Sequence, residues 1–468
     1  MKRSKNIQKI KSLTGAFLAA VVTIATIPAT VYAAEVNSVD TGIKYEVYAS
    51  GQYSNWDGVS TVAQFADKKG DFAFAYQSGK NIKVVLTEDG KPAKKVTLKM
   101  KGDIFGSVIC DEDGFFYVAS GTANTGTNTD KETVFITKYN SNGKLIKTIG
   151  DNGSSSLASY YDTGFYTKTP FSGGTCDIAV NGDYLAIDYG RKMYNGHQSN
   201  SVWIIDKEKM KTVTPDSDSY WGYSNYQSHS FAQRVIPYAG GFAFVGEGDC
   251  FDRSFTFTTA DMKAGTTTEA HLFDFWVQKN TYNNYDMGIL NNNFAHIGNL
   301  SPLNNGNISF VASSVKAMNS KATQQKEQIF IQIFKPASNL TGQSAYITKG
   351  KRTGKSGPNG DESKTNYGVK WLTDYTTGSV KNPQAVTDGK GNTIVLYERY
   401  SDSYSYDGIY RIIVNSKGKV TAKAERISTT AHLNSCETPI YSDGCIYWCE
   451  NDEGDYSEHA LKVYKFNI

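Results

Sequence analysis

Apolar and polar residues alternate along most of this chain with a period of two, in short runs punctuated by Gly, Asn and Asp. A period of two puts one set of side chains on a core face, so these runs predict strands. One pattern recurs after a glycine. Asp71–Tyr76 follows Gly70, Phe115–Ala119 follows Gly114, and Asp183–Ile187 follows Gly182. Phe242–Val245 follows Gly240-Gly241, Asn307–Val311 follows Gly306, Asn392–Tyr397 follows Gly391, and Cys445–Trp448 follows Gly444. Each reads as the second strand of a small unit that opens with a strand and a tight turn.

Third strands follow at Val134–Tyr139, Val202–Asp206, Ile329–Phe334 and Ile409–Val414, and Lys462–Phe466 ends the chain. Asn-Gly and Lys-Gly turns lead on to fourth strands such as Leu145–Thr148 and Val420–Lys423. A four-stranded unit repeated seven times predicts an all-β fold, a seven-bladed β-propeller. The alternatives are a pair of β-sandwiches or a ring of six or eight blades. The last unit stops after its third strand, so an N-terminal strand must complete it. Ile43–Ala49 alternates well and is assigned as the outer strand of the last blade.

Composition supports this reading. The 468 residues include 31 Tyr and 23 Phe, and 39% are hydrophobic, which excludes a disordered chain. Tyr, Phe, Val, Ile and Thr suit a pleated surface better than a helix. No internal segment has a linker composition, so residues 34–468 are expected to form one domain.

Residues 1–33 read as an address. Lys2, Arg3, Lys5, Lys9 and Lys11 precede an apolar run from Leu18 to Ile27, and Val31-Tyr32-Ala33 supplies small residues at a cleavage site. This predicts a secretory signal peptide cut near Ala33, and hence a secreted, extracellular protein. The alternative is a retained anchor, for which the apolar run is short and broken by Pro28. Loss of five basic residues turns a net charge of +3 into −2. Neither nucleic acid nor an anionic membrane is then a natural partner. All six cysteines lie in the exported part, where disulfides are permitted. Cys436 and Cys449 flank the Ser442-Asp443-Gly444 turn and are the candidate bridge; the alternative is buried small hydrophobes.

In an up-and-down blade, the loop between strands two and three points the same way as the blade-to-blade connection. These loops converge on one face. The connections are aromatic: Tyr160, Tyr161, Phe165 and Tyr166; Tyr220, Trp221, Tyr223 and Tyr226; Trp276, Tyr282 and Tyr285. The second-to-third-strand loops are polar, at Gly190–Asn200, Glu247–Arg253, Glu398–Asp402 and Glu450–Glu453. Aromatic platforms beside charged and amide groups suit a carbohydrate. The plainer reading is that tyrosine-rich loops cover one another. His197 and His229 fall in adjacent blades and are expected to approach each other, either in a site or as bridges to backbone carbonyls. Binding candidates are His197, Gln198, Asn200, Trp221, Tyr223, His229, Arg234, Asp252, Arg253, Arg399 and Tyr400. No metal or cofactor is called for. No CxxC pair, P-loop, dinucleotide fingerprint or nucleophile elbow occurs, and Asp111–Gly114 reads as a hairpin turn rather than a calcium loop. A metal at the two histidines would need a third ligand such as Asp249 or Asp252.

The chain from residue 34 resembles secreted bacterial seven-bladed propellers. Its His197-Gln198-Ser199-Asn200 and Ser228–Gln233 segments look like motifs of uncharacterised exported propellers of Gram-positive bacteria. Some propeller polysaccharide lyases use two His, a Tyr and an Arg. His197, His229, Arg234 and Tyr194 are similar in residue type, which makes them the catalytic candidates. The leading expectation is a monomeric extracellular binding module for a glycan or cell-wall polymer. A lyase acting on acidic glycans by β-elimination is the second, with Arg234 or Arg253 neutralising the uronate. A protein-interaction scaffold is the third.

Overall fold

The computed structural model describes residues 35–46, 62–153, 166–172, 174–194, 196–213, 229–248, 254–263, 266–275, 295–316, 324–336, 368–450 and 458–468. Residues 1–33, assigned above to a signal peptide, lie outside them. All described residues belong to one compact unit, Ala34–Ile468.

The first strand, β1 (Val36–Glu46), is set apart in sequence from its sheet. Blade 1 follows as β2 (Val62–Ala66), β3 (Phe72–Ser78), β4 (Asn81–Glu88) and β5 (Lys91–Lys99). Blade 2 is β6 (Ile104–Cys110), β7 (Phe116–Gly121), β8 (Val134–Tyr139) and β9 (Leu145–Asp151). Blade 3 adds a short strand, β10 (Thr167–Pro170), to β11 (Cys176–Asn181), β12 (Tyr184–Met193), β13 (Gln198–Asp206) and β14 (Lys211–Thr212). Blade 4 is β15 (Ser230–Tyr238), β16 (Gly241–Gly248), β17 (Ser254–Asp261) and β18 (Thr266–Asp274). Blade 5 is β19 (His296–Pro302), β20 (Ile308–Ser314), β21 (Gln328–Phe334) and β22 (Lys370–Trp371). Blade 6 is β23 (Ser379–Thr387), β24 (Thr393–Tyr400), β25 (Tyr406–Val414) and β26 (Val420–Ser428). Blade 7 is β27 (Ile440–Ser442), β28 (Cys445–Cys449) and β29 (Glu458–Asn467), closed on its outer side by β1.

Neighbouring strands within a blade are antiparallel, and the innermost strands follow one another around a ring from β2 through β27 and back to β2. This is the seven-bladed β-propeller expected from the repeat. All seven glycine-led runs are second strands. The closing strand is also as expected, though it begins earlier: β1 pairs with β29 from Val36 opposite Phe466 to Glu46 opposite Glu458, and residues 47–49 lie outside the description.

Blade packing explains the second-strand pattern. Phe72, Phe74 and Tyr76 of β3 meet Tyr447, Cys449 and Val463 of blade 7. Ala73 and Ala75, on the other side of the same strand, meet Phe105, Val108 and Val118 of blade 2. Blade 4 repeats the device: Phe242 and Phe244 face Ala179 and Ala186 of blade 3, while Ala243 and Val245 face Phe310 of blade 5. Large residues on one face fill the space that small residues leave on the next, which brings the interior to close packing.

The Asp-x-x-Gly hairpins between first and second strands are equally local. Asp111 Oδ1 accepts from the Asp113 and Phe115 amides, and Gly114 takes a φ of 86° that only glycine adopts freely. The turn is a hairpin, as the sequence indicated.

One difference concerns the cysteines. Cys436 and Cys449 are separate thiols. The β27–β28 ladder sets Ile440 opposite Tyr447 and Ser442 opposite Cys445, so its continuation places Thr438, not Cys436, across from Cys449. The turn does lie between the two cysteines, but the register misses by two residues.

Ring closure by β1 predicts a measurable dependence. Val39, Ile43 and Tyr45 are buried against blades 1 and 7. A chain beginning at residue 47 is expected to lose on the order of 5 kcal/mol, since each such side chain contributes roughly 1.5–3 kcal/mol. Urea unfolding of the two chains checks this. A synthetic peptide of residues 36–46 should restore part of the loss; an unchanged midpoint after truncation would show that blade 7 does not need β1.

Candidate functional site

The same topology sets one face of the ring. Ends of second strands, starts of third strands and the connections into first strands all emerge there. His197 lies in the turn from β12 to β13, and His229 immediately precedes β15. The turn is closed by the Met193 amide donating to the His197 carbonyl at 2.6 Å, with Gly196 at φ 87°. His229 has a φ of 53°, a left-handed conformation costly for a residue with a side chain, and its amide donates to the Gln198 carbonyl at 2.9 Å. That conformation brings the two imidazoles together, ring centroids 4.6 Å apart. The approach expected from sequence is therefore present. Both residues are partly exposed, and partial burial holds His197 below the usual imidazole range. Tyr194 is in the turn that carries His197. Its hydroxyl donates to the Gly126 carbonyl at 3.1 Å, and the Lys168 ammonium stands 5.7 Å from its ring centre.

Three of the expected ligand contacts are structural instead. The polar stretch 190–200 is mostly strand, because β12 runs on to Met193 and β13 starts at Gln198. Gln198 is 2% exposed and its amide donates to the Ser230 carbonyl of blade 4. Asn200 is 0% exposed and donates to Asp188 Oδ1 at 3.1 Å. Arg234 is 1% exposed, at the centre of the ring. It donates to the Gln233 carbonyl at 2.8 Å, the Gly298 carbonyl of blade 5 at 3.2 Å, and the Ser435 carbonyl ahead of blade 7 at 2.7 Å. It also faces Asp177 of blade 3, whose carboxyl burial pushes up while Arg234 and the Val235 and Ile178 amides pull it down. A side chain so enclosed does not present its charge to a ligand. Trp221, Tyr223, Asp249, Asp252 and Arg253 lie outside the described residues.

Tyr400 and Arg399 are adjacent on β24 and so point to opposite faces of blade 6. Arg399 lies 3.9 Å over the Tyr375 ring and 3.7 Å from Asp407. Tyr400 is on the side facing blade 7, with three residues the sequence analysis did not select. Its hydroxyl donates to Glu398 Oε2 at 2.8 Å, and its ring meets Tyr406 edge to face at 5.4 Å. The Tyr406 ring is 4.2 Å from that of His432. Glu398, with its side chain 1% exposed, also accepts from the Leu433 amide at 2.8 Å and Asn382 Nδ2 at 3.0 Å, and lies 3.3 Å from His432 Nδ1. The hydrogen bond to Glu398 holds His432 above the usual imidazole range, against the effect of burial. Lys381 stands 5.2 Å over the Tyr400 ring. The signal available in sequence was His432 in the connection entering blade 7; its pairing with Glu398 spans 34 residues and depends on blade packing.

Among the described residues, no group of three or more His, Cys, Asp or Glu side chains has the geometry to hold a metal ion.

No family model matches the chain, and no curated protein matches it. Solved structures are similar to it. The polysaccharide lyase Uly1 is 9% identical, covering 90% of this chain and 92% of its own, with a TM-score of 0.43. The β-propeller domain of the Trilobed protease from Pyrococcus furiosus is 8% identical, covering 87% and 95%, with a TM-score of 0.41. An ulvan lyase described as a new polysaccharide lyase family is 12% identical, covering 74% and 76%, with a TM-score of 0.38.

The two kinds of residue on this face separate in a stability measurement. Arg234→Ala leaves three carbonyls without their buried donor and is expected to cost about 3–5 kcal/mol. His197→Ala, on the partly exposed rim, should stay within roughly 1 kcal/mol of the parent. Denaturant unfolding of both variants checks the assignment, and equal losses would contradict it.

Proposed function

We propose that the protein is an extracellular binding module whose second-to-third-strand loop face holds a polysaccharide. The observation that carries this reading is the Tyr400–Tyr406 pair, partly exposed and edge to face at 5.4 Å, with His432 against Tyr406. Their hydroxyls are anchored, Tyr400 on Glu398 and Tyr406 on the Ala431 carbonyl. Anchored rings give up little conformational freedom on binding and offer an apolar surface to a sugar ring. The His197–His229 pair provides a second partly exposed ring cluster on the same face. An extended polymer suits such separated platforms better than a small molecule, which needs one deep pocket.

The elimination reading retains one favourable observation, a His197 ring kept neutral beside His229. Arg234 is engaged with backbone carbonyls and does not serve as the uronate-neutralising cation. A binding role therefore accounts for more of the face.

Secretion belongs to the same proposal. Expressed in a Gram-positive host, the protein is expected in the medium with Ala34 as its first residue, which intact-mass analysis reads directly.

A polysaccharide screen by isothermal titration tests the binding role. Tyr400→Ala should weaken binding of the polymer selected by the parent by roughly tenfold, since an aromatic contact contributes about 0.5–1.5 kcal/mol. Ultraviolet absorbance of an unsaturated product in the same mixtures would replace the binding module with a lyase. Parent-like affinity in Tyr400→Ala would remove this platform from the site.

A further inference from the structure

Lys381 takes no part in the reading above, yet its placement is unusual. It is the third residue of β23, directly opposite Glu398 in the β23–β24 register, and a bulge follows between Lys381 and Gln384. The bulge contains Asn382 at φ 49°, a left-handed conformation, and Asn382 donates to Glu398 Oε2. Bulges re-aim side chains, and left-handed non-glycine residues persist only where their surroundings hold them. Here the buried carboxylate is committed to Asn382, Tyr400, Leu433 and His432. Lys381 projects instead over the Tyr400 ring, exposed and without an ion-pair partner among the described residues. His432, on the far side of Tyr406, has Nδ1 directed at Glu398 and a side chain 41% exposed. A cation thus stands over one ring of the edge-to-face pair and an imidazole against the other.

Resting on the polysaccharide reading, we propose that Lys381 and His432 form a carboxylate subsite on this platform, so that the polymer bound is a uronate-bearing one. The sugar ring packs against the Tyr400–Tyr406 pair, while its carboxylate pairs with the Lys381 ammonium and accepts from His432 Nε2. Uronates are ionised throughout the neutral range, so the ligand's charge is constant there. That of the site is not. His432 faces Glu398 and Tyr406, with Glu450 favouring its charged form and Lys462 opposing it. Its cation is present at low pH and is lost as pH rises through a value above the ordinary imidazole range. Glu327 lies near Lys381, and burial pushes it up to about 7. It is neutral below that value and adds a negative charge above it. Surrounding protein first, and the Lys381 charge second, push His296 down to about 4, although the residue keeps access to solvent, so it stays neutral over this range. Both titrating groups act in one direction: uronate binding weakens as pH rises.

The test compares uronate polymers (polygalacturonate, alginate, hyaluronan) with their carboxyl-reduced counterparts by isothermal titration, from about pH 5 to about pH 8. The parent should prefer a native polymer over its reduced form, most strongly at low pH. Lys381→Met should lose about three- to tenfold in affinity for the native polymer, the range of one charged contact at a partly exposed site. Its binding of the reduced form should be unchanged. His432→Gln should flatten the pH dependence, and Glu327→Gln should remove the remainder. Thermal melting of each variant ensures that folded proteins are compared. Equal affinity for native and reduced polymers would overturn the carboxylate subsite and leave the polysaccharide reading standing. Binding of neither form to the parent would overturn both.

Discussion

A single guanidinium holds the middle of this ring. Arg234 reaches from the innermost strand of blade 4 to the backbone of blade 5 and to the segment entering blade 7, and faces the buried Asp177 of blade 3. Placing two charges away from water is expensive unless both are compensated. Here the cation meets three carbonyls, and the carboxylate takes the Val235 and Ile178 amides. These compensations are a weak source of net stability but a strong constraint on geometry, since a blade shift would leave a buried charge without its hydrogen-bond partners. Blades 5 and 6 also meet closely here: a Cβ on Gly298 would stand 2.7 Å from the Val311 carbonyl of its own blade and 3.0 Å from the Pro383 carbonyl of blade 6.

Amide side chains extend the same logic around the ring. Register shifts interrupt β15, β19 and β23 near their starts, and the residue at the end of each shift is Gln233, Asn299 or Gln384. Asn299 donates to the Ala385 carbonyl of the next blade, and Gln384 to the Asn434 carbonyl of the one after. Gln64 donates to the Thr438 carbonyl and accepts from the Cys449 amide where the ring closes. Backbone groups freed by a bulge must find partners when buried. The amide side chains at these positions donate instead to carbonyls of the neighbouring blade or its entry segment, and the fold gains blade-to-blade fasteners.

The architecture was legible because its determinants are local. Alternation, Asp-x-x-Gly turns and the large–small pattern of strands such as Phe72–Tyr76 each operate within a dozen residues. The missing last strand was legible by subtraction. The site was only partly so. His197 and His229 were found because adjacent blades place successive loops side by side. Gln198, Asn200 and Arg234 are buried between blades, which sequence did not show, because a polar residue near a loop looks the same there whether it meets a ligand or fastens a blade. Arg399 was separable from Tyr400 by strand alternation, since adjacent residues of a regular strand point to opposite faces. Glu398 with His432 was not legible, because that contact joins a strand of blade 6 to the segment entering blade 7, 34 residues on.

The division between fastened and free groups decides where recognition can reside. At the hub, Arg234 is saturated by carbonyls, and ligand binding there would break the contacts that fix the ring. At the rim, the fasteners are also the foundations: Glu398 fixes Tyr400, Asn382 and His432 by accepting from each, and thereby fixes what those groups present outward. A buried carboxylate with its donors satisfied is rigid, and rigidity passes to the rings above it. Lys381 escapes that network because the bulge turns the following residue, Asn382, into the carboxylate's partner. The same local distortion that satisfies the buried charge therefore leaves one cation outside it, which is how a structural compensation in blade 6 becomes a chemical feature of the binding face.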